Sequence, residues 1–374
     1  MNNFRNTIDQ PDPGDVEGLD RVKDEDITFG EYPIDTLLIR NENRTVHDVL
    51  RRIEKGSFIM DPDFQRDFIW PEGKQCKLIE SVMMRIPLPV FYLAENTSGQ
   101  MIVVDGLQRL STFQRFVNND LKLKLPHQGE LNGKYFRDLS PKLQNRVEDC
   151  NLVLYVIDAK VPTQALLDIF ERVNGGVPLT RQQMRNCLFS GKASRFLKGE
   201  ASSSIFLKAT GKSLNKKTMR DRELINRFCA FQLLGPTDYK GDMDDFLART
   251  LELMNDISEF DLEALSSNFK ASMRNNYLVY GKHAFRKHHS PSDSRSVINA
   301  SLWDVMSTGL SIYSDAQVEA HKKELQAATY DLFKNTFFNE AISLGTNQVI
   351  RVQKRFRLAN NMLQEVLGDS ENRT

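Results

Sequence analysis

Apolar positions along the chain fall into two regimes. Through about residue 190, helical spacing alternates with short continuous apolar runs, and beyond it only helical spacing recurs. Val46, Val49, Leu50 and Ile53 share a helical face between Thr45, a cap, and Gly56, a stop. Leu78, Ile79, Val82, Met83 and Ile86 form a second such face after Pro71, whose fixed φ suits a first helical turn, with Pro87 and Pro89 bracketing its end. Residues 90–93 and 101–104 are apolar runs separated by a polar turn with Asn96, Ser98 and Gly99, the pattern of a hairpin. A helix over about 141–149 leads into a further strand at 152–157. Ala165, Leu166, Ile169, Phe170 and Val173 then predict an amphipathic helix stopped by Asn174-Gly175-Gly176. Past Thr180, helices are predicted near 181–190, 220–234, 243–256, 260–280, 296–312, 315–335 and 349–366. The fold class is therefore α+β, with a mixed part over 32–190 and an all-α part over 191–374, matching the two domains that 374 residues suggest.

Residues 1–31 fit neither regime. They hold nine acids (Asp9, Asp12, Asp15, Glu17, Asp20, Asp24, Glu25, Asp26 and Glu31) against Arg5, Arg21 and Lys23, with few core-forming side chains, and read as a mobile acidic arm. Over the whole chain, Lys plus Arg and Asp plus Glu are each 50, which argues against a uniformly basic nucleic-acid binder. That zero is a cancellation, because residues 181–227 carry twelve bases against three acids. Lys212, Lys216, Lys217 and Arg220 lie in the densest part of this stretch, which suits a nucleic-acid backbone with salt-sensitive affinity, a solvated surface, or a dock for the arm. No apolar run approaches a membrane span, and the four cysteines are far apart. A reduced, cytoplasmic protein without structural zinc is the expectation.

Chemistry concentrates in two Gln-Arg segments, Pro62-Asp-Phe-Gln65-Arg66 and Val104-Asp105-Gly106-Leu107-Gln108-Arg109. An Arg fork beside an amide suits bidentate contact with phosphate oxygens. Asp105 could hold a hard cation such as Mg²⁺ or orient water, Gly106 would admit a phosphate close to backbone, and Ser111 and Thr112 add hydroxyls one turn on. The same residues have a structural reading. Asp105 and Gln108 have capping-box spacing, Gly106 could serve the turn alone, and Arg66 could pair with Asp63 or Asp67. On spacing alone the structural reading weighs more. Thr180 and Gln183 also have capping-box spacing. Gly211-Lys212-Ser213 lacks the glycine and strand of a phosphate-binding loop, and His283, His288 and His289 lack metal-ligand spacing, so a solvated loop is expected there.

Taken in order, Pro62-x-Phe-Gln-Arg66, Trp70, Ile86-Pro-x-Pro89, Val-Val-Asp-Gly-x-Gln-Arg109 and Phe170-x-x-Val-Asn-x-Gly-x-Pro-Leu-Thr180 closely resemble the GmrSD-type N-terminal domain family. The resemblance covers about 32–190 and implies a ParB/sulfiredoxin-like fold with a small mixed sheet. It also implies a restriction or anti-phage role, with binding and hydrolysis of a nucleoside triphosphate with Mg²⁺. The site it implies comprises Gln65, Arg66, Asp105, Gly106, Gln108 and Arg109, with the arginines on phosphate and Asp105 on metal or water. Asn174 and Gly176 would complete the pocket wall or its fold. Two departures stand out: Leu107 occupies a position where the family usually has Gln, and the C-terminal half lacks the His-Asn-His nuclease motif of longer members. The implied partners are DNA and a separate nuclease or defence-complex subunit, with no membrane and a homo-oligomer open. The competing expectations are a non-catalytic interaction module and a metal-dependent nickase acting through the same pocket.

Overall fold

The computed structural model describes residues 16–19, 38–60, 70–96, 98–173 and 180–368. The chain divides into two compact units, residues 28–188 and residues 189–374 with 1–27.

The first unit is built on a mixed five-stranded sheet. Its strands are β2 (Ile39–Thr45), β3 (Phe58–Ile59), β4 (Phe91–Glu95), β5 (Met101–Asp105) and β6 (Asn151–Ile157), in the order β2-β6-β4-β5-β3. β4 and β5 are the expected antiparallel hairpin, with a register shift between Tyr92 and Leu93. β4 runs parallel to β6, and β3 parallel to β5. Side chains alternate between the two faces as a pleated strand requires. Phe91, Leu93, Val103, Leu152, Leu154 and Val156 enter the main core, which α1 (Val46–Glu54), α2 (Glu72–Met83), α3 (Leu107–Val117) and α4 (Pro141–Glu148) cover. Ala94 and Val104 face the other way, onto Leu167 and Phe170 of α5 (Thr163–Val173) and Met184 of α6 (Arg181–Leu188). Thr45 caps α1 as expected, its hydroxyl accepting from Asp48 N at 3.2 Å, and Gly56 follows the helix at φ +70°.

β2 is a strand that the apolar pattern does not predict. Its sequence, Ile-Arg-Asn-Glu-Asn-Arg-Thr, carries one apolar residue, yet it pairs with β6 over seven positions. Ion pairs supply what apolar burial does not: Arg40 reaches Glu42 and Glu95, and Arg44 reaches Glu42 and Asp48.

The second unit is helical, with α7 (Lys192–Ala201), α8 (Ser204–Thr210), α9 (Arg220–Leu233), α10 (Met243–Asp256), α11 (Glu259–Tyr280), α12 (Ala300–Gly309), α13 (Asp315–Ala320), α14 (Lys322–Lys334), α15 (Thr336–Ser343) and α16 (Val349–Leu367). The helix expected over 315–335 breaks at His321, and α7, α8 and α15 were not predicted by periodicity. Its core centres on Trp303, ringed by Phe206, Phe269 and Phe285, and Trp303 Nε1 donates to Leu224 O at 2.7 Å. Arg227, Asp304 and Arg355 form a buried triad in which Asp304 accepts from both arginines.

Four residues of the acidic segment are described, and they are placed on this unit. β1 (Val16–Glu17) pairs in parallel with β7 (Ile298–Asn299), Val16 enters the helical core, and Glu17 forms an ion pair with Lys287. The histidine segment differs from the solvated loop expected of it: His283 and His288 are buried and stacked, with ring centroids 4.6 Å apart, and His288 packs against Tyr280, Tyr330 and Phe333. Burial holds the His288 imidazole below its ordinary pKa. Among the described residues no helix is long and apolar enough to cross a membrane, and no three His, Cys, Asp or Glu side chains gather as a metal cage.

Candidate functional site

The Asp105 segment sits where β5 turns into α3. Asp105 is the last residue of the strand, so it is not the helix cap that its spacing to Gln108 allows. The cap is Gly106, at φ +100°, and no side chain caps the helix. The first-turn N–H groups of α3 thus lack a side-chain acceptor, the arrangement that favours an anion at a helix N-terminus. Gly106 is required twice over. Its φ is one that L side chains rarely adopt, and a Cβ there would lie 2.2 Å from Phe91 Cδ1.

Arg109 is buried, and its guanidinium makes three internal contacts. It donates to Asp105 Oδ2 at 2.7 Å, to Val90 O at 3.0 Å and to Pro89 O, and it lies 4.2 Å from the centre of the Phe91 ring. Burial pushes the guanidinium below its ordinary pKa, and Asp105 opposes that shift. Removing the arginine would leave two carbonyls and a carboxylate without their donor. Asp105, by contrast, keeps its side chain about one-third exposed, and its second carboxylate oxygen has no partner among the described residues. The segment therefore presents a carboxylate held through one oxygen and open through the other, beside an uncapped helix start.

Gln108 is engaged differently from both expectations. Its Oε1 accepts from Trp70 N at 2.9 Å, Trp70 O accepts from Gln75 Nε2 at 2.6 Å, and Gln75 Oε1 accepts from Arg115 at 2.8 Å. This chain of amides ties the start of α2 to α3 and places Trp70, four residues after Arg66 in sequence, at the first turn of α3. Ser111 and Thr112 donate their hydroxyls back to Leu107 O and Gln108 O, at 2.8 and 2.7 Å, and Thr112 is buried. Leu107 packs against the main core. Gln65, Arg66, Asn174 and Gly176 lie outside the described residues.

Sequence reasoning passed over the polar interior of α6. Gln182, Gln183, Arg185 and Asn186 are buried, Arg185 Nε donates to Gln182 Oε1 at 3.1 Å, and Arg181 pairs with Asp168 at 3.0 Å and with Glu171 at 3.2 Å. A signal was present, since a helix reading Arg-Gln-Gln-Met-Arg-Asn-Cys-Leu has too few apolar residues to fill a buried face. The capping box expected at Thr180 and Gln183 is there, with Thr180 N donating to Gln183 Oε1 at 2.7 Å and Gln183 N to Thr180 Oγ1 at 3.3 Å.

In the helical unit, Lys212, Lys216 and Lys217 are exposed, whereas Arg220 is partly buried and donates to Glu223 at 2.6 Å. Arg185 and Arg227 of the basic stretch are fully buried, so its surface charge is smaller than the sequence count.

Residues 46–190 match the family model described as GmrSD restriction endonuclease, N-terminal domain. The resemblance drawn from the ordered motifs is thereby supported over that segment. No curated protein and no solved structure gives a significant match to the chain.

Proposed function

We propose that this chain is a cytoplasmic component of a bacterial restriction or anti-phage system whose GmrSD-type domain binds a nucleoside triphosphate with Mg²⁺, and that binding controls engagement of DNA by the helical unit. One observation carries the reading. Asp105 and the uncapped start of α3 juxtapose an open carboxylate oxygen with N–H groups that lack a side-chain acceptor, which are the two kinds of group a metal-bound phosphate needs. Mg²⁺ is commonly held by one or two carboxylates plus substrate phosphates and water, so a single Asp105 suffices where a protein-built cage is lacking among the described residues. Once bound, Mg²⁺ would neutralise phosphate charge. Arg109 acts here as a positioning residue, fixing Asp105 through one oxygen and the 89–90 backbone through two carbonyls. Gln108 holds Trp70 against α3, while Gln65 and Arg66 are the further phosphate contacts that the family resemblance implies. The exposed lysines 212, 216 and 217 would follow a DNA backbone.

A second reading, a nucleotide- or partner-binding module without turnover, is favoured by the internal commitment of Arg109 and by an apolar Leu107. One panel separates the two. The four nucleoside triphosphates are added with and without Mg²⁺ to the full chain, reading melting temperature and phosphate release. The proposal predicts a Mg²⁺-dependent rise of several degrees for at least one nucleotide, since ligand at 100 times Kd adds about 2.7 kcal/mol. Asp105→Asn should abolish that rise, and because it also removes the counter-charge of the buried Arg109 it lowers the unliganded melting temperature, so the rise is read against the variant's own unliganded value. A shift without phosphate release selects the second reading, and no shift with any nucleotide overturns nucleotide binding. Arg109→Ala is the poorer test, because it strips three internal hydrogen bonds and would report folding as much as binding.

A further inference from the structure

The C-terminus of α2 and α4 line a half-open cavity of about 440 Å³ that includes neither Asp105 nor any residue of α3. Arg85, Lys142 and Arg146 bring three cations to its wall, against the single acid Asp149, and Asn145 and Asn151 add amides. Lys142, Asn145, Arg146 and Asp149 follow one another at i, i+3, i+4 and i+7, so the spacing of α4 sets them along one helical face.

The three cations are held differently. Arg146 donates through Nη1 to Met83 O at 2.9 Å, closing an orphan carbonyl of α2, while its Nε is buried and has no acceptor among the described residues. Arg85 and Lys142 are exposed, and neither side chain forms an ion pair or hydrogen bond among the described residues. Arg85 stands just past the end of α2 at φ +59°, where the helix closes with Ile86 N donating to Ser81 O at 2.9 Å. Glycine normally fills such a position, so an arginine there keeps a charged side chain at a conformational cost.

We infer that this cavity is a second anion site, for a nucleotide-sized phosphate ester. Arg85 and Lys142 supply uncommitted charge to a phosphate, Arg146 offers a fixed guanidinium whose buried Nε a ligand oxygen would satisfy, and Asn145, Asn151 and Asp149 meet the hydroxyl or amine edge of a sugar or base. The volume lies within the range of small-molecule pockets. The cavity also has a path to the Asp105 segment: its Ile86-Pro87-Leu88 wall continues directly into Pro89 and Val90, whose carbonyls accept from Arg109. A ligand pressing on this wall would thus act on the backbone that orients Arg109 and, through it, Asp105. The inference does not rest on triphosphate binding at Asp105.

The test uses the full chain and its variants Arg85→Glu/Lys142→Glu and Arg85→Lys, with Asp105→Asn in parallel. Calorimetric titrations at low ionic strength employ a nucleoside monophosphate, pyrophosphate, and a short DNA in single- and double-stranded form, and a melting curve confirms folding of each variant. The expected result is binding of the nucleoside monophosphate or pyrophosphate that weakens at least tenfold in the double charge reversal and persists in both Arg85→Lys and Asp105→Asn. Binding confined to DNA would identify a strand-backbone contact and overturn the nucleotide-sized site. Binding that survives the charge reversal, or no binding of any probe to the wild-type chain, overturns it. Loss of binding in Asp105→Asn with retention in the double reversal would place the anion at Asp105 instead.

Discussion

At the scale of single residues, the Asp105 segment shows how much of one motif is committed to geometry. Gly106 was legible as a residue needed by a turn or by a close approach, but the neighbour that excludes a side chain, Phe91, belongs to β4 and could not be read from local sequence. Gly106→Ala must accommodate both a φ of +100° and a Cβ driven into a buried ring that itself lies against Arg109. The expected cost is roughly 2–4 kcal/mol, the sum of a strained backbone and an overpacked core. Urea unfolding should show it as a lowered midpoint with unchanged slope, and a loss below about 0.5 kcal/mol would mean that Phe91 can move aside freely. Arg109 was legible as a candidate site residue, but its internal bonds were not. Its sequence position advertises a phosphate fork, but its bonds to Pro89 and Val90 depend on the β4 approach, which only the fold supplies.

Secondary-structure elements were legible where their stability comes from an apolar face and obscure where it comes from polar pairing. The hairpin of β4 and β5, the run of β6 and the long helices α9, α10, α11 and α16 carry regular apolar spacing, and the expected boundaries fall within a few residues of those found. β2 is held by a ladder of backbone bonds and arginine–carboxylate pairs and leaves no apolar signature, whereas α6 falls within the helix expected over 181–190 and only its buried amides and guanidinium were unforeseen. The same distinction applies to α9. Arg227 counts as part of a basic surface stretch in the sequence, although it stands in the apolar setting Leu-Ile-Asn-Arg-Phe-Cys-Ala-Phe, and the structure buries it against Asp304. Asp304 joins α9, α12 and α16, because Arg355 of α16 donates to the same carboxylate at 2.8 Å. Asp304→Asn should therefore leave two buried guanidinium groups facing each other without a counter-charge. A loss of about 3–5 kcal/mol in the unfolding transition of the helical unit is expected. A near-neutral effect would show that the triad is hydrated or relaxes at little cost.

For the whole molecule, the zero net charge resolves into segregated parts, and the structure gives that segregation a location. Glu17 is paired with Lys287, next to Arg286, and Arg286 donates to Thr210 O and to Ser213 Oγ at 2.8 Å each. Arg295 reaches Thr210 O and Gly211 O from the same side. The anchored strand of the acidic segment is thus linked, through Lys287 and its chain neighbour Arg286, to the start of the stretch that presents Lys212, Lys216 and Lys217. Eight further acids flank that strand in sequence, and through-space repulsion between them and a DNA backbone is strong only when the Debye length is long. Replacing those eight by their amides, while keeping Val16 and Glu17, should raise affinity for a short duplex at least about fivefold at 50 mM salt, with the gain vanishing near 300 mM. Fluorescence anisotropy of labelled DNA reads both conditions. Because the substitutions leave the β1–β7 pairing and the buried Val16 intact, a change in affinity would report charge rather than unfolding. Equal affinities at low salt would show that the acidic segment does not compete with DNA for the helical unit.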